Sequence, residues 1–431
     1  MPPILTSFLE SIHSDTELLH VHHTMDNLAF IQALRNATVK GLALFLTLQL
    51  LTSGCTKPGS GKIEEKTTST AERLSYPIDS KELRLVNLTH HWEVNPSPIL
   101  HSFFNLYNCE IVRIDDEEYP YRMWIFGVST SDANDSNFGY DSIFHARGKT
   151  LDSWEVYCGH GNAWDTTMSP TLWVPVMVRA RNKYDLIHNG DPSVVYKNGV
   201  FHIAFSSVGI DNRNETNYIV NCVMGATSED GIEWNKSKKP LLIWEKELEE
   251  GWRADEPKPP SVGGYHRPSL NWDEEERVWK IWFDYYLPGT FLSMGYAVNS
   301  ADFMEPDNWK VLRAGEEPLL HDWPSPDVVK IHGKYYAFSD APYFGSLLGG
   351  PQNDRRIVMA VSDDGLNWRV LGHMLPEDER FGTHLPQTYV EESGGTLYLY
   401  VFYSMVIEKD LPNYSAANFM RIPVSKLEKI R

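Results

Sequence analysis

Cysteine is scarce. Four in 431 residues exclude a disulfide scaffold. Cys109, Cys158 and Cys222 show no metal-site spacing and read as buried thiols, with one pair able to bridge in an oxidising compartment. Positive charge is short as well. Against 58 Asp and Glu stand 39 Lys and Arg, a formal net charge of −19. Such a chain repels phosphate backbones, which argues against a nucleic-acid partner. No His-x-x-x-His pair and no clustered-Asp loop occurs, so no metal site is announced. There is no long amphipathic helix and no coiled coil. The longest apolar run, Gly41 to Leu51, is too short for a comfortable transmembrane helix.

That run has the character of a signal-peptide core, with Arg35 and Lys40 before it and Thr52-Ser53-Gly54-Cys55 after it. Small residues ahead of a lone Cys resemble a bacterial lipoprotein cleavage site, so Cys55 is expected to carry lipid. Thr52 stands where that pattern prefers Leu. A plain secretory signal and a short buried helix are the alternatives. Met25 offers a second start that would give the leader a conventional length. The expected division is a leader over 1–55, a flexible polar tether over 56–80 and a globular domain over 81–431. The expected location is secreted or in the cell envelope, periplasm or outer membrane, with membrane contact only through the anchor.

What the chain does have is a repeat. Asn189-Gly190-Asp191-Pro192-Ser193-Val194-Val195-Tyr196 reads as a strand, Lys197-Asn198-Gly199 as a tight turn, and Val200-Phe201-His202-Ile203-Ala204-Phe205 as a second strand. Related heads are Asn108-Cys109-Glu110, His266-Arg267-Pro268-Ser269, Pro324-Ser325-Pro326-Asp327 and His384-Leu385-Pro386-Gln387. Downstream, Ser228-Glu229-Asp230-Gly231-Ile232-Glu233-Trp234 matches Ser362-Asp363-Asp364-Gly365-Leu366-Asn367-Trp368, with degenerate copies ending at Trp154 and Trp309. From Asn108, Asp191, Arg267 and Ser325 to the following Trp the distances are 46, 43, 42 and 43 residues. A fixed unit joined by variable loops is a repeat architecture. Each unit has room for four strands. The expectation is an all-β fold, a five-bladed β-propeller with four-stranded antiparallel blades. Leu83 to Leu88 and Asn418 to Val424 are expected strands, one terminus completing the blade of the other so that no edge is left open. The long segment 155–190 is expected to cover one face.

At Asp191-Pro192-Ser193-Val194-Val195 and the two Ser-x-Asp-Gly-x-x-Trp turns the chain resembles the five-bladed propeller glycosidases. These are the family 43 arabinanases and xylosidases, the invertases and levansucrases, and the neoagarobiose hydrolases. The resemblance covers roughly 90–425. It implies a pocket where the heads converge, with an Asp base in blade one, an Asp that tunes the acid in blade two and a Glu acid in blade three. Asp191 matches the blade-two position. Blade one has Asn108 at its head, with Glu110 two residues on. Blade three has His266-Arg267 and no carboxylate.

The implied assignment is therefore Asp191 positioning the sugar, Glu110 or Asp327 as base, and His266 as acid, as a His is in the neoagarobiose hydrolases. Asn108, Arg267 and His384 complete a substrate-binding ring. Arg267 could grip a uronic acid carboxylate or pair with Asp191. Asp255 and Glu256, in the insertion before blade three, are a further source of an acid. Asp230 and Asp364 belong to turns. No cofactor is required, and the resemblance admits a structural calcium ion in the channel. With 14 Trp and 21 Tyr, the chain has rings for both core and sugar stacking. The expected activity is hydrolysis of a plant or algal poly- or oligosaccharide. The alternatives are a carbohydrate-binding propeller that has lost its catalytic carboxylates and an interaction propeller that uses the other face.

Overall fold

The computed structural model describes residues 86–129, 141–159, 163–180, 184–213, 216–244, 264–286, 292–315, 317–340, 356–374, 383–405 and 414–430. Side chains of 210–219, 286 and 383–384 are outside that description. The chain divides into Met1–Arg73 and Leu74–Arg431, and every described residue lies in the second unit. The leader, Cys55 and the whole tether lie outside the described residues.

Three two-residue turns show how the blades begin. Asn198 and Gly199 take left-handed backbone, φ 54° and 82°. That geometry matches the twist of the strands it joins. The turn links His188–Lys197 to Val200–Arg213, with Lys197 opposite Val200. His332-Gly333 and Gly394-Gly395 repeat it in two further blades.

Five sheets result. Blade one contains Asn105–Arg113, Tyr121–Val128, Ser142–Thr150, Ser153–Tyr157 and an outer Trp164–Asp165. Blade two contains His188–Lys197, Val200–Arg213 and Thr216–Ser228, the last pairing with both Asn235–Lys236 and Leu242–Ile243. Blade three is Gly264–Asp273, Val278–Tyr286, Ser293–Asn299 and Lys310–Arg313. Blade four is Asp327–Ile331, Lys334–Ser339, Ile357–Ser362, Arg369–Met374 and Val86–Asn87. Blade five is Thr383–Ser393, Thr396–Met405, Ala416–Pro423 and Glu93–Val94. The five innermost strands touch in a closed ring. The fold is a five-bladed β-propeller.

Apolar residues on both faces of these strands bury between blades. The described core falls into five clusters, one at each blade-to-blade junction. Trp124, Phe201 and Phe205 fill the junction of blades one and two, and Phe283, Trp279 and Tyr265 that of two and three.

Closure comes from the N-terminal segment, which supplies a strand to the C-terminal blade as expected, though through Glu93–Val94 rather than through the expected strand 83–88. Within the expected strand 83–88 the described pairing is Val86–Asn87, and it runs parallel to Arg369–Met374 on the outer edge of blade four. The chain then crosses to blade five, where Glu93–Val94 pairs with Ala416–Pro423 near the C-terminus. Main-chain bonds continue this lacing, Ile99 N to Ala417 O and Leu106 N to Tyr414 O, as blade one begins. The segment after Trp154 does not simply cap a face. Trp164–Asp165 extends blade one, Met177 bridges to Ile143, and Trp173 is buried.

Candidate functional site

The innermost strands are interrupted at their heads. Register slips between Leu106 and Asn108, Gly190 and Ser193, His266 and Ser269, and His384 and Gln387. An extra residue bulges the strand and re-aims its side chain. In four blades the head residue is left-handed: Asp191 φ 47°, Arg267 40°, Ser325 50° and Leu385 48°. Each precedes a proline, which disfavours the right-handed helical alternative. Asn108, followed by Cys109, is not among them. Left-handed non-glycine backbone is costly and concentrates at functional sites.

Two positions beyond each head, the side chains fasten neighbouring blades together. Glu110 Oε1 accepts from Val194 N at 3.3 Å. Ser193 Oγ accepts from Leu270 N at 2.9 Å, and Ser269 Oγ from Val328 N at 2.9 Å. Asp327 Oδ2 accepts from Thr388 N at 2.6 Å and from the Thr388 hydroxyl. Glu110 and Asp327 thus occupy the same place as two serines. Burial and the nearby Asp327 push the Glu110 carboxyl well above its ordinary range. Burial lifts Asp327 to about 6 against its hydrogen bonds from Thr388 and Ser269. Both are engaged in clasping blades. Asn108, 1% exposed, donates to Pro192 O. Gln387 Oε1 has no hydrogen-bond partner among the described residues, so the fifth clasp is not made there.

Asp191, His266 and Arg267 come together between blades two and three. Arg267 Nη1 donates to Asp284 Oδ2 at 2.8 Å, and its Nε lies 3.9 Å from Asp191 Oδ1. Its main-chain N–H donates to Ser206 Oγ at 2.7 Å, and Ser325 N donates to Asp284 Oδ2 at 2.8 Å. Arg267 is therefore the hub, bound more closely to Asp284 than to Asp191. Burial raises both Asp191 and Asp284, while the guanidinium pulls both back toward the charged form. Asp284 is fully buried; the Asp191 side chain keeps 10% of its surface. His266 lies in this cluster, opposite Asp284. Burial, with Arg267 and His188 as neighbouring cations, drives its imidazole down to about 3. A ring held neutral in this way does not carry the proton an acid must give.

Three groups at this site were not singled out from sequence. Asp284 is a lone carboxylate inside the apolar strand Val278–Tyr286, opposite His266. His188 opens the blade-two strand, and its Nδ1 lies 3.2 Å from Asp141 Oδ2 at the head of blade one's third strand. Burial lowers His188, but the hydrogen bond and charge of Asp141 outweigh it, and the net shift is upward. Behind them Lys236 Nζ, buried against Asp185 Oδ2 at 2.7 Å and Asn189 Oδ1 at 2.9 Å, braces the approach to the head. His384 pairs its backbone with Ser404, but its side chain lies outside the described residues, as do Asp255 and Glu256.

Asp230 and Asp364 sit in turns as expected. Asp364 Oδ1 accepts from Leu366 N and Asn367 N, and Asp230 makes the same pair of bonds. Among the described residues no group of three His, Cys, Asp or Glu side chains is placed to hold a metal ion. Around the heads, the buried acceptors without a hydrogen-bond partner among the described residues are Asn108 Oδ1 and Gln387 Oε1 and the carboxylate oxygens Glu110 Oε2, Asp191 Oδ1 and Asp284 Oδ1. A cleft of about 400 Å³ lies at the opposite ends of the strands, between blades five and one, and is separate from the heads.

No family model matches the chain, and no curated protein sequence matches it. Solved structures do. The protein of a BT0996 RGII complex is 15% identical, with 77% of this chain and 91% of that one covered and a TM-score of 0.49. Zg3597, a family 117 glycoside hydrolase from Zobellia galactanivorans, is 8% identical over 78% and 89%, TM-score 0.46. CoXyl43, a family 43 β-xylosidase/α-arabinofuranosidase from a compost microbial metagenome in complex with xylotriose, is 13% identical over 78% and 95%, TM-score 0.44.

Proposed function

We propose that the protein hydrolyses glycosidic bonds in a plant or algal oligosaccharide bound where the heads converge. The observation that carries this reading is the cluster of Asp191, Arg267, Asp284 and His188 drawn from blades two and three. It places a buried carboxylate, pushed up by its burial, beside Arg267 and His188, whose charges pull it back toward the charged form. Glycoside cleavage needs such a carboxylate to activate water and a separate group to protonate the leaving oxygen. Asp191 takes the first role. Glu110 and Asp327, bound into the blade clasps, leave the role of base to it. Arg267 is committed to Asp284 and Asp191, which leaves it poorly placed to grip a uronic acid; neutral sugars suit the site better.

Nitrophenyl glycosides and algal oligosaccharides, tested beside Asp191→Asn, decide the matter. The expected result is turnover by the wild type and a loss of about 100-fold or more in the variant. Turnover unchanged by the substitution removes Asp191 from the mechanism. The engagement of Glu110 and Asp327 favours a second reading, a propeller that binds saccharides without cleaving them; calorimetric binding with no product would establish it. We also propose lipid anchoring at Cys55. Cys55→Ser should then move the protein from the membrane fraction to the soluble one, and an unchanged distribution would count against the anchor.

A further inference from the structure

We propose that His188, held by Asp141, is the proton donor of this site, with Asp141 as its positioning residue. The inference rests on the glycosidase reading for its substrate, but its geometry stands on its own. Asp141 precedes the third strand of blade one and His188 opens the first strand of blade two. The pair therefore bridges two blades at the rim of the channel. The Asp141 carboxylate meets Nδ1 at 3.2 Å, which fixes the ring and leaves Nε2 as the working nitrogen. No hydrogen bond reaches Nε2 among the described residues, and it lies over Gly190, directly before the Asp191 head. A Cβ built on Gly190 would come within 2.8 Å of Nε2 and 2.5 Å of the Phe126 ring, so glycine makes room for this imidazole. The Phe126 ring meets His188 edge-on at 5.1 Å and holds its plane. The His188 side chain is 20% exposed and Asp141 34%, so a substrate can reach the ring. Carboxylate, oriented imidazole and an open second nitrogen form an arrangement suited to proton transfer.

The charged and titratable groups that face His188 are Asp141 from blade one, Asp191 on its own strand, and Arg267 and His266 from blade three. The two carboxylates favour the imidazolium and Arg267 opposes it; His266 is neutral. His188 thus takes the acid role expected of His266. In the step, the Nε2 proton passes to the bridging oxygen as the bond from the anomeric carbon breaks, its electron pair going to that oxygen. Water adds its oxygen to the anomeric carbon and gives a proton to Asp191. Solvent returns that proton to His188, and the net change is one water consumed per bond.

Two measurements test this. Histidine NMR titration of the full domain should show His188 titrating above 6.5 in the wild type and falling in Asp141→Asn. Kinetics should show His188→Gln losing about 100- to 10,000-fold on an unactivated oligosaccharide but only a few-fold on a dinitrophenyl glycoside, whose leaving group needs no acid. The alkaline limb of kcat should move to lower pH in Asp141→Asn. A His188 titration indifferent to Asp141→Asn overturns the pairing, and equal losses on both substrates overturn the donor role. If the wild type cleaves no glycoside, the glycosidase reading and the donor role fall together, and the titration still decides the pairing.

Discussion

Single residues at the channel carry two kinds of work that look alike in sequence. Glu110 and Asp191 are both buried carboxylates near a head, yet Glu110 fastens a blade and Asp191 lies beside Arg267. The difference is testable. Glu110→Gln keeps an acceptor for Val194 N–H and should change unfolding free energy little. Glu110→Ala leaves that buried donor unpaired and should cost about 1–3 kcal/mol by denaturant titration. Asp327 makes a pH prediction. Its value in the fold, about 6, is above the ordinary 3.8, so the neutral form stabilises the fold. That contribution is complete below about pH 4 and fades as pH rises through about 6. Asp327→Asn should lack this part of the decline when unfolding midpoints are compared at about pH 4 and about pH 7. Asp191 and Arg267 were legible as heads because each stands before a Pro-Ser pair in the repeated strand-opening pattern. Asp141 gave no signal, since only the packing of blade one against blade two brings it to His188. The burial of His266 beside Arg267, which pushes its imidazole down, is invisible in sequence.

Among elements, the Ser-x-Asp-Gly-x-x-Trp turns tie one blade to the one before it. The Gly231 carbonyl accepts from Trp234 of its own blade and Trp124 of blade one, both at 3.1 Å. The Gly365 carbonyl accepts from Trp368 and from Trp282 of blade three. Gly231 is left-handed, φ 76°, and a Cβ there would lie 2.8 Å from Trp124. Gly231→Ala should therefore lower stability by more than the roughly 1 kcal/mol of backbone strain alone. Gly199→Ala, at φ 82° with nothing within 4 Å, isolates that strain. Equal melting shifts for the two would show that the Trp124 contact contributes nothing. The motif was legible because it is local and repeated. Its partner tryptophans were visible only as apolar strand residues, since the bond joining them to the turn spans 107 positions in one case.

For the molecule as a whole, the fold followed from spacing, because a near-constant interval between head and Trp demands a near-constant unit. The closure was less legible. Val86–Asn87 and Glu93–Val94 are two residues each, too short to carry a strand pattern of their own. A chain beginning at residue 86 keeps both short strands. One beginning at residue 98 loses both short strands, and its melting temperature should drop by several degrees or the transition should broaden. Identical melts would mean that blade five closes without its outer strand.

The same lacing decides how the domain answers a mechanical load. Among the described residues, a pull on the N-terminal segment meets Val86–Asn87 first and Glu93–Val94 next, before it reaches a long strand. Tension would undo the ring at its seam, the junction where Gln387 also leaves its clasp unmade, while blades two and three, which hold the reactive cluster, are the last to feel it.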